Sequence, residues 1–453
     1  SWLTGPVNAL VRSIKPAVLR IGGIDPASQT ALTDRIGPNA RGNLSYGRFI
    51  VEAAKMNAWA SFTIGMDNSP PIDWRLDPEG TAQALMDYLT SVPVPGKANS
   101  FYLNQKLSEG LSGNLLLTTP GVIVELGNEP WGGTSNGAPG TVDHQADGFN
   151  NYVNYRQWAR KIARAIKASP GYDSTKIHIA ISGRNPRPSD SYGLTETMFE
   201  GTENDKDVID IIAISGYMGG NFDYGKNLER GPSELTYYKS GWEALFDFSN
   251  GLKQTMDIDI QKNGKIRPFF FYESAQTTSD YNGRLGQAIS IMDYWNECFR
   301  NGLMHTAVFG IPGGGEWANV TQQGFRKPGY FTVKYFNEYA KGDILSSSWA
   351  SKEKVFGNTR RIGSSTAIEG MAPVGMYAYY QAGVYKLVFL SRDFENDFQV
   401  QVNMPGGINN STKGKQFRLY GSDFSTDNTI IDSTEININD KMIVTVPKFT
   451  MVI

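Results

Sequence analysis

Two acidic residues stand where apolar stretches of the chain break off. In residues 122–133, VIVELGNEPWGG, a run rich in Val and Ile ends in Gly127-Asn128-Glu129-Pro130, with Trp131 and two glycines behind it. In residues 267–274, RPFFFYES, three phenylalanines and Tyr272 lead to Glu273. Both read as buried strands with a charge at the tip. A carboxyl group at the mouth of an apolar strand sits where burial can raise its pKa, which is what a general acid needs. Two such groups facing one another suit glycoside hydrolysis, one as acid/base and the other as nucleophile. Trp131, so close behind Glu129, could wall the site or stack a leaving-group sugar.

These strands belong to a longer alternation over the first 340 residues. Apolar runs at 17–23, 58–66, 122–128, 176–183, 208–217, 267–274 and 304–313 are separated by amphipathic stretches. Within 152–166, Tyr155, Trp158, Ile162 and Ile166 recur at helical spacing, as do Leu285, Ile289, Met292, Trp295 and Phe299 within 284–300. Strand–helix alternation of this length predicts parallel βα units closed into a (β/α)8 TIM barrel, whose active sites lie at the C-terminal ends of the strands.

The apolar runs number seven, and the helix-like residues 7–16 precede the first of them. The first barrel strand is therefore expected before Ser1, in a trimmed portion or a separate N-terminal segment or peptide, or else as a remnant in residues 1–5. A gap in the ring would expose two strand edges, so a strand from outside this numbering is expected to fill it. With that strand counted, Glu129 ends the fourth and Glu273 the seventh, and these positions face each other across the mouth.

The pattern changes after residue 342. Period-2 segments at 375–381, 384–391, 398–405, 417–421 and 441–447 are divided by turns rich in Gly, Asn and Asp. Residues 1–342 are read as the catalytic barrel and 343–453 as an antiparallel β-sandwich. Packing against the barrel is the plain role for the sandwich; carbohydrate binding is the other.

Composition removes several classes. The chain has 453 residues, enough for a large barrel and an accessory module. Its net charge is −2 without long like-charge blocks, which argues against nucleic acid as the partner. No apolar run approaches the roughly 18 residues of a membrane span. Cys298 is the sole cysteine, so an intrachain disulfide is impossible, and His144, His178 and His305 form no metal-ligand pair. No secretory signal is visible at Ser1, and sequons at Asn43, Asn319 and Asn409 do not settle the compartment.

The Asn-Glu-Pro at 128–130 with Glu273 on a later strand resembles the retaining glycoside hydrolases of clan A. Leu19-Arg20-Ile21-Gly22-Gly23 and Glu125-Leu126-Gly127-Asn128-Glu129 are similar to the branch holding α-L-arabinofuranosidases and the β-glucuronidase/heparanase group, which joins a barrel to a β-sandwich. The resemblance implies Glu129 as general acid/base, Asn128 as a hydrogen-bonder to the sugar 2-hydroxyl and Glu273 as nucleophile. It implies that Tyr217 holds the nucleophile's carboxylate, that Trp317 stacks beneath the sugar, and that Arg20 lies close to the nucleophile and helps keep it ionised. One departure stands out: the arabinofuranosidase pattern carries a His near the position of Gly216.

Duller readings compete. Glu129 could cap a loop, and Tyr217 and Trp317 could simply pack. Glu316, in Gly313-Gly314-Gly315-Glu316-Trp317, rivals Glu273. Glu125 shares strand parity with Glu129 and should point into the barrel, where Arg20 or Arg184 would have to pair with it in a structural role. The mechanism expected is double displacement, with carboxyl groups about 5–5.5 Å apart and no metal or organic cofactor. Long insertions at 67–120 and 131–150 favour an endo-acting enzyme on a polysaccharide. An exo-acting α-L-arabinofuranosidase or β-glucuronidase-like enzyme acting on an oligosaccharide is the alternative, and a non-catalytic carbohydrate-binding barrel the second. A secreted or periplasmic location fits such substrates.

Overall fold

The computed structural model describes residues 6–21, 44–64, 68–69, 72–73, 77–127, 152–183, 208–216, 222–223, 252–261, 264, 267–275, 283–307, 310, 318–321, 323–355, 360–361, 371–393, 395–404, 412–423 and 426–453. The first part alternates helix and strand: α1 (Pro6–Ile14), β1 (Val18–Ile21), α2 (Tyr46–Lys55), β2 (Trp59–Ile64), α3 (Pro78–Thr90), α4 (Phe101–Ser108) and β3 (Val122–Leu126). There follow α5 (Tyr152–Ala168), β4 (Ile177–Gly183), β5 (Ile211–Ser215), α6 (252–261), β6 (Phe269–Glu273), α7 (Leu285–Arg300), β7 (His305–Thr306) and α8 (Pro328–Tyr339).

Local chemistry sets these elements. Ser45 caps α2 by accepting from the Arg48 backbone N–H at 3.2 Å, and Asp77 caps α3 ahead of Pro78, which needs no N–H partner in the first turn. In α5, Ala159, Ile162, Ala163 and Ile166 form one buried stripe. Helix α7 is buried on almost every side because it lies between the parallel sheet and the antiparallel sheets.

Strands β1 to β7 form one parallel sheet in chain order, each paired with the next. Each of the seven apolar runs of the sequence contributes a strand to this sheet. Strands buried on both faces read as continuous apolar runs, which makes them legible in the sequence. Val122, Val124 and Leu126 pack into the main core with the helices, whereas Ile123 packs with Ala180, Ala213 and Tyr272 on the other face.

The sheet must be rolled. Strands β1 and β6 are five steps apart, roughly 24 Å in a flat sheet. Yet the Arg20 and Glu273 side chains on them meet at 2.8 Å. The inner face therefore encloses a barrel-like interior. Among the described residues the curled sheet holds seven strands, and neither β1 nor β7 has a second neighbour. The strand expected before Ser1 is not shown, and residues 1–5, considered as its remnant, lie outside the described residues.

The remainder is antiparallel: β8 (Asp343–Leu345), β9 (Val374–Gln381), β10 (Val384–Ser391), β11 (Phe398–Asn403), β12 (Thr412–Tyr420), β13 (Ile430–Ile438), β14 (Lys441–Val446) and β15 (Thr450–Val452). One sheet has the order β8-β9-β10-β15-β12-β13, and β11 pairs with β14 in a second. Val374, Phe389, Val400, Val402, Val444 and Val446 pack between them. This unit is fixed to α7. Arg392 donates from Nε to Asp293 Oδ2 at 2.6 Å and from Nη2 to Oδ1 at 2.9 Å, and the Tyr377 hydroxyl donates to Oδ1 at 2.6 Å. Gly375 is required there, since a Cβ would stand 2.5 Å from Asp293 Oδ1. No helix among the described residues is long and apolar enough to cross a membrane.

Candidate active site

Arg20 on β1 and Glu125 on β3 project to the inner face, and Ser61 and Thr63 on β2 lie between them. Leu19, Phe62 and Leu126, their neighbours in sequence, pack outward with the helices. Arg20 donates from Nε to Glu125 Oε1 at 2.9 Å and Oε2 at 2.8 Å, and its Nη2 is also 2.8 Å from Oε2. Nη1 donates to Glu273 Oε1 at 2.8 Å. Ser61 donates to Glu125 Oε1 at 2.5 Å, and Thr63 to Oε2 at 3.4 Å. The guanidinium also lies over the Tyr272 ring, 4.6 Å from its centroid. Both carboxylates are buried, Glu125 at 5% and Glu273 at 8% exposure. Burial alone would lower the pKa of Arg20, but the adjacent charges of Glu125 and then Glu273 reverse this and carry it upward.

Strand alternation by itself would send Glu273 the wrong way. Phe269 and Phe271 share its parity and pack outward into the helix layer. The β5–β6 register breaks after Ile214: Ile214 pairs with Phe271, but Ser215 pairs with Glu273. Tyr272 is the extra residue of this bulge, and the strand turns so that Tyr272 and Glu273 both meet Arg20. Ser274 is then locked outward. Its hydroxyl accepts from Trp295 Nε1 at 2.9 Å and donates to the Ala307 carbonyl at 2.7 Å.

Gly216 donates its backbone N–H to the Glu273 carbonyl at 2.7 Å. A Cβ at Gly216 would lie 2.7 Å from the Phe271 ring and 3.1 Å from Ser274 Cβ. The position is glycine because the bulge packs against its backbone.

Of the residues singled out in the sequence, Arg20 and Glu273 are in direct contact, and Glu125 completes the cluster. Arg20, not Arg184, is the described partner of Glu125. Glu129, Asn128, Trp131, Tyr217, Trp317, Arg184 and Glu316 lie outside the described residues, and so does the separation of the two carboxyl groups. Ser61 and Thr63 are further residues of the site, and their alternation with Ala60, Phe62 and Ile64 marks a polar inner face. Trp295 belongs to the helix stripe of 284–300, and nothing in its spacing points to Ser274.

No protein-family model matches the chain, and no curated protein matches its sequence. Solved structures do match. A family 51 α-L-arabinofuranosidase from Bifidobacterium longum superposes with a TM-score of 0.73 at 12% identity, covering 98% of this chain and 88% of the other. The α-L-arabinofuranosidase of Thermotoga maritima gives 0.72 at 14% identity over the same shares. A xyloglucanase of glycoside hydrolase family 44 from Paenibacillus polymyxa gives 0.57 at 12% identity, covering 97% and 93%. At such identities the likeness is one of fold: this chain shares the overall architecture of these arabinofuranosidases and this xyloglucanase.

Proposed function

We propose that this chain is a retaining O-glycoside hydrolase, with Glu273 as nucleophile and Glu129 as general acid/base. The observation that carries the reading is Glu273 itself: a buried carboxylate at the C-terminal end of an inner barrel strand, turned inward by a bulge and ion-paired to Arg20 at 2.8 Å. Active sites of barrels lie at that end. The fold shared with glycosidases supports the reaction class.

In the first step Glu129 gives its proton to the glycosidic oxygen while the Glu273 carboxylate attacks the anomeric carbon. The bond to the leaving group breaks and a glycosyl ester forms. In the second, Glu129 takes a proton from water, whose oxygen attacks the same carbon and frees Glu273. Asn128 would bind the 2-hydroxyl, Tyr217 the Glu273 carboxylate, and Trp317 and Trp131 the sugar faces. Residues 1–342 would form the catalytic unit and 343–453 the accessory sandwich. We also infer that an extended segment outside the described residues fills the place between β7 and β1, because both edges would otherwise stand open.

The substrate is a polysaccharide or oligosaccharide, which fits a secreted or periplasmic enzyme. The exo-acting α-L-arabinofuranosidase alternative is favoured by the stronger fold likeness, TM-scores of 0.73 and 0.72 against 0.57. Endo-cleavage is the second reading, and Gly216 favours it: its packing leaves no room for the His that the arabinofuranosidase pattern carries near this position. Digestion of aryl α-L-arabinofuranosides, other aryl glycosides and a polysaccharide panel, followed by product size, tests both. Monosaccharide alone supports the exo reading, and early oligosaccharides the endo reading. No hydrolysis by the wild type, or equal hydrolysis by Glu273→Ala, overturns the proposal.

A further inference from the structure

Glu125 is a charged group inside the barrel for which double displacement has no task. It is nearly fully buried, and it gathers Arg20 through Nε and Nη2, the Ser61 hydroxyl at 2.5 Å and the Thr63 hydroxyl at 3.4 Å. Packing alone does not call for a charge on this face, because Ile123, two residues earlier on the same strand, is buried among apolar neighbours. Nor does pairing Arg20 call for two carboxylates. Arg392 is held by Asp293, and Arg267 is held by Asp259.

The geometry divides the guanidinium by edge. Its Nε–Nη2 edge faces Glu125, with Nη2 also donating to the Thr63 hydroxyl at 3.3 Å, and its Nη1 points to Glu273 Oε1 at 2.8 Å. A guanidinium is a rigid planar fork, so fixing one edge fixes the direction of the remaining nitrogen. The ring of Tyr272 lies against it as well, 4.6 Å from its centroid.

We propose that Glu125 is a positioning residue: by holding Arg20 along the Nε–Nη2 edge, it aims Nη1 at Glu273 and so sets where the attacking carboxylate stands. The inference rests on the reading of Glu273 as nucleophile. Nucleophiles are sensitive to such placement, since a misplacement of about 1 Å can cost on the order of a hundredfold in rate.

The test is a double-mutant cycle between Glu125→Gln and Arg20→Lys, with kcat and KM measured on the best substrate of the panel. Glu125→Gln is expected to lower kcat about tenfold or more, with KM within about threefold, because ground-state binding does not depend on the aim of Glu273. In the Arg20→Lys background the same substitution should cost little more, because its effect passes through the guanidinium. A kcat for Glu125→Gln within about twofold of wild type, or costs that multiply independently in the double variant, overturns the proposal. If Glu125→Gln does not fold, Ser61→Ala takes its place. Loss of that one donor to Glu125 should lower kcat about threefold at unchanged KM, and a wild-type kcat overturns the proposal. Glu273→Ala separates the two failures. If Glu273→Ala is inactive and the Glu125 and Ser61 variants are normal, only the positioning role falls; if Glu273→Ala still turns over, the nucleophile reading falls and the positioning role falls with it.

Discussion

Arg392 and Arg20 are both buried guanidiniums held by carboxylates, one where the sandwich meets α7 and one inside the barrel. At the interface one cation meets Asp293 through two parallel hydrogen bonds, with the Tyr377 hydroxyl as a further donor. Charge is balanced, and the pair welds two parts of the molecule together. In the barrel one cation serves Glu125 and Glu273 together, so among these three groups negative charge is in excess. Burying charge costs free energy in both places. At the interface that cost secures a fixed docking geometry; in the barrel it holds a carboxylate at the mouth, where one can act. A buried ion pair is thus no sign of function by itself, and its stoichiometry and place in the fold are what separate the two.

Breaking each cluster should therefore have opposite consequences. The largest effect is expected for Glu273→Gln: turnover falls by about three orders of magnitude or more, while thermal unfolding shows a folded protein. Next, Arg392→Leu leaves Asp293 buried without its cation and should cost about 3–5 kcal/mol in urea unfolding. The kcat of the folded fraction should hold, and a comparable loss of kcat would erase the distinction drawn above.

Gly216→Ala sharpens the barrel side. Its Cβ would press on Phe271 at 2.7 Å, and overpacking of this kind costs about 1–3 kcal/mol. Activity should fall as well, because the Gly216 N–H holds the backbone of Glu273. Activity retained alongside that destabilisation would mean that the bulge does not set the nucleophile.

The smallest effect concerns pH. The Nε2 of His305 on β7 is buried without a hydrogen-bond partner among the described residues, and burial pushes the ring's pKa down from 6.5 to about 4. The folded state then resists a proton that the unfolded chain accepts below pH 6.5, so stability is lost as pH falls from 6.5 to about 4. The ring is partly exposed, which limits its share to about 1–2 kcal/mol. His305→Leu should flatten the decline of melting temperature across that window, and an unchanged decline would place the acid sensitivity elsewhere.

Much of the parallel sheet is legible in the sequence because its strands are buried on both faces. VIVEL and FFFYE leave few other readings. The inward parity of Glu125 and its need for a cation can be read too, and Arg20 meets that need. The inward turn of Glu273 cannot be read: its parity matches Phe269 and Phe271, and only the one-residue bulge at Tyr272 reverses it. In the sandwich, Ile430–Ile438 carries no clear apolar alternation, because among the described residues it pairs only with β12 and is mostly exposed on both faces. Strand β12 likewise begins at Thr412, within a stretch whose Gly, Asn and Lys residues read as a turn.

The most direct test of the account is to trap the covalent intermediate. An activated 2-deoxy-2-fluoro glycoside of the sugar identified by the substrate panel would be incubated with the enzyme, and the labelled peptide found by mass spectrometry. A glycosyl adduct on Glu273 is the predicted result. Label on another carboxylate such as Glu316, or an inverted first product with no adduct at all, would contradict it.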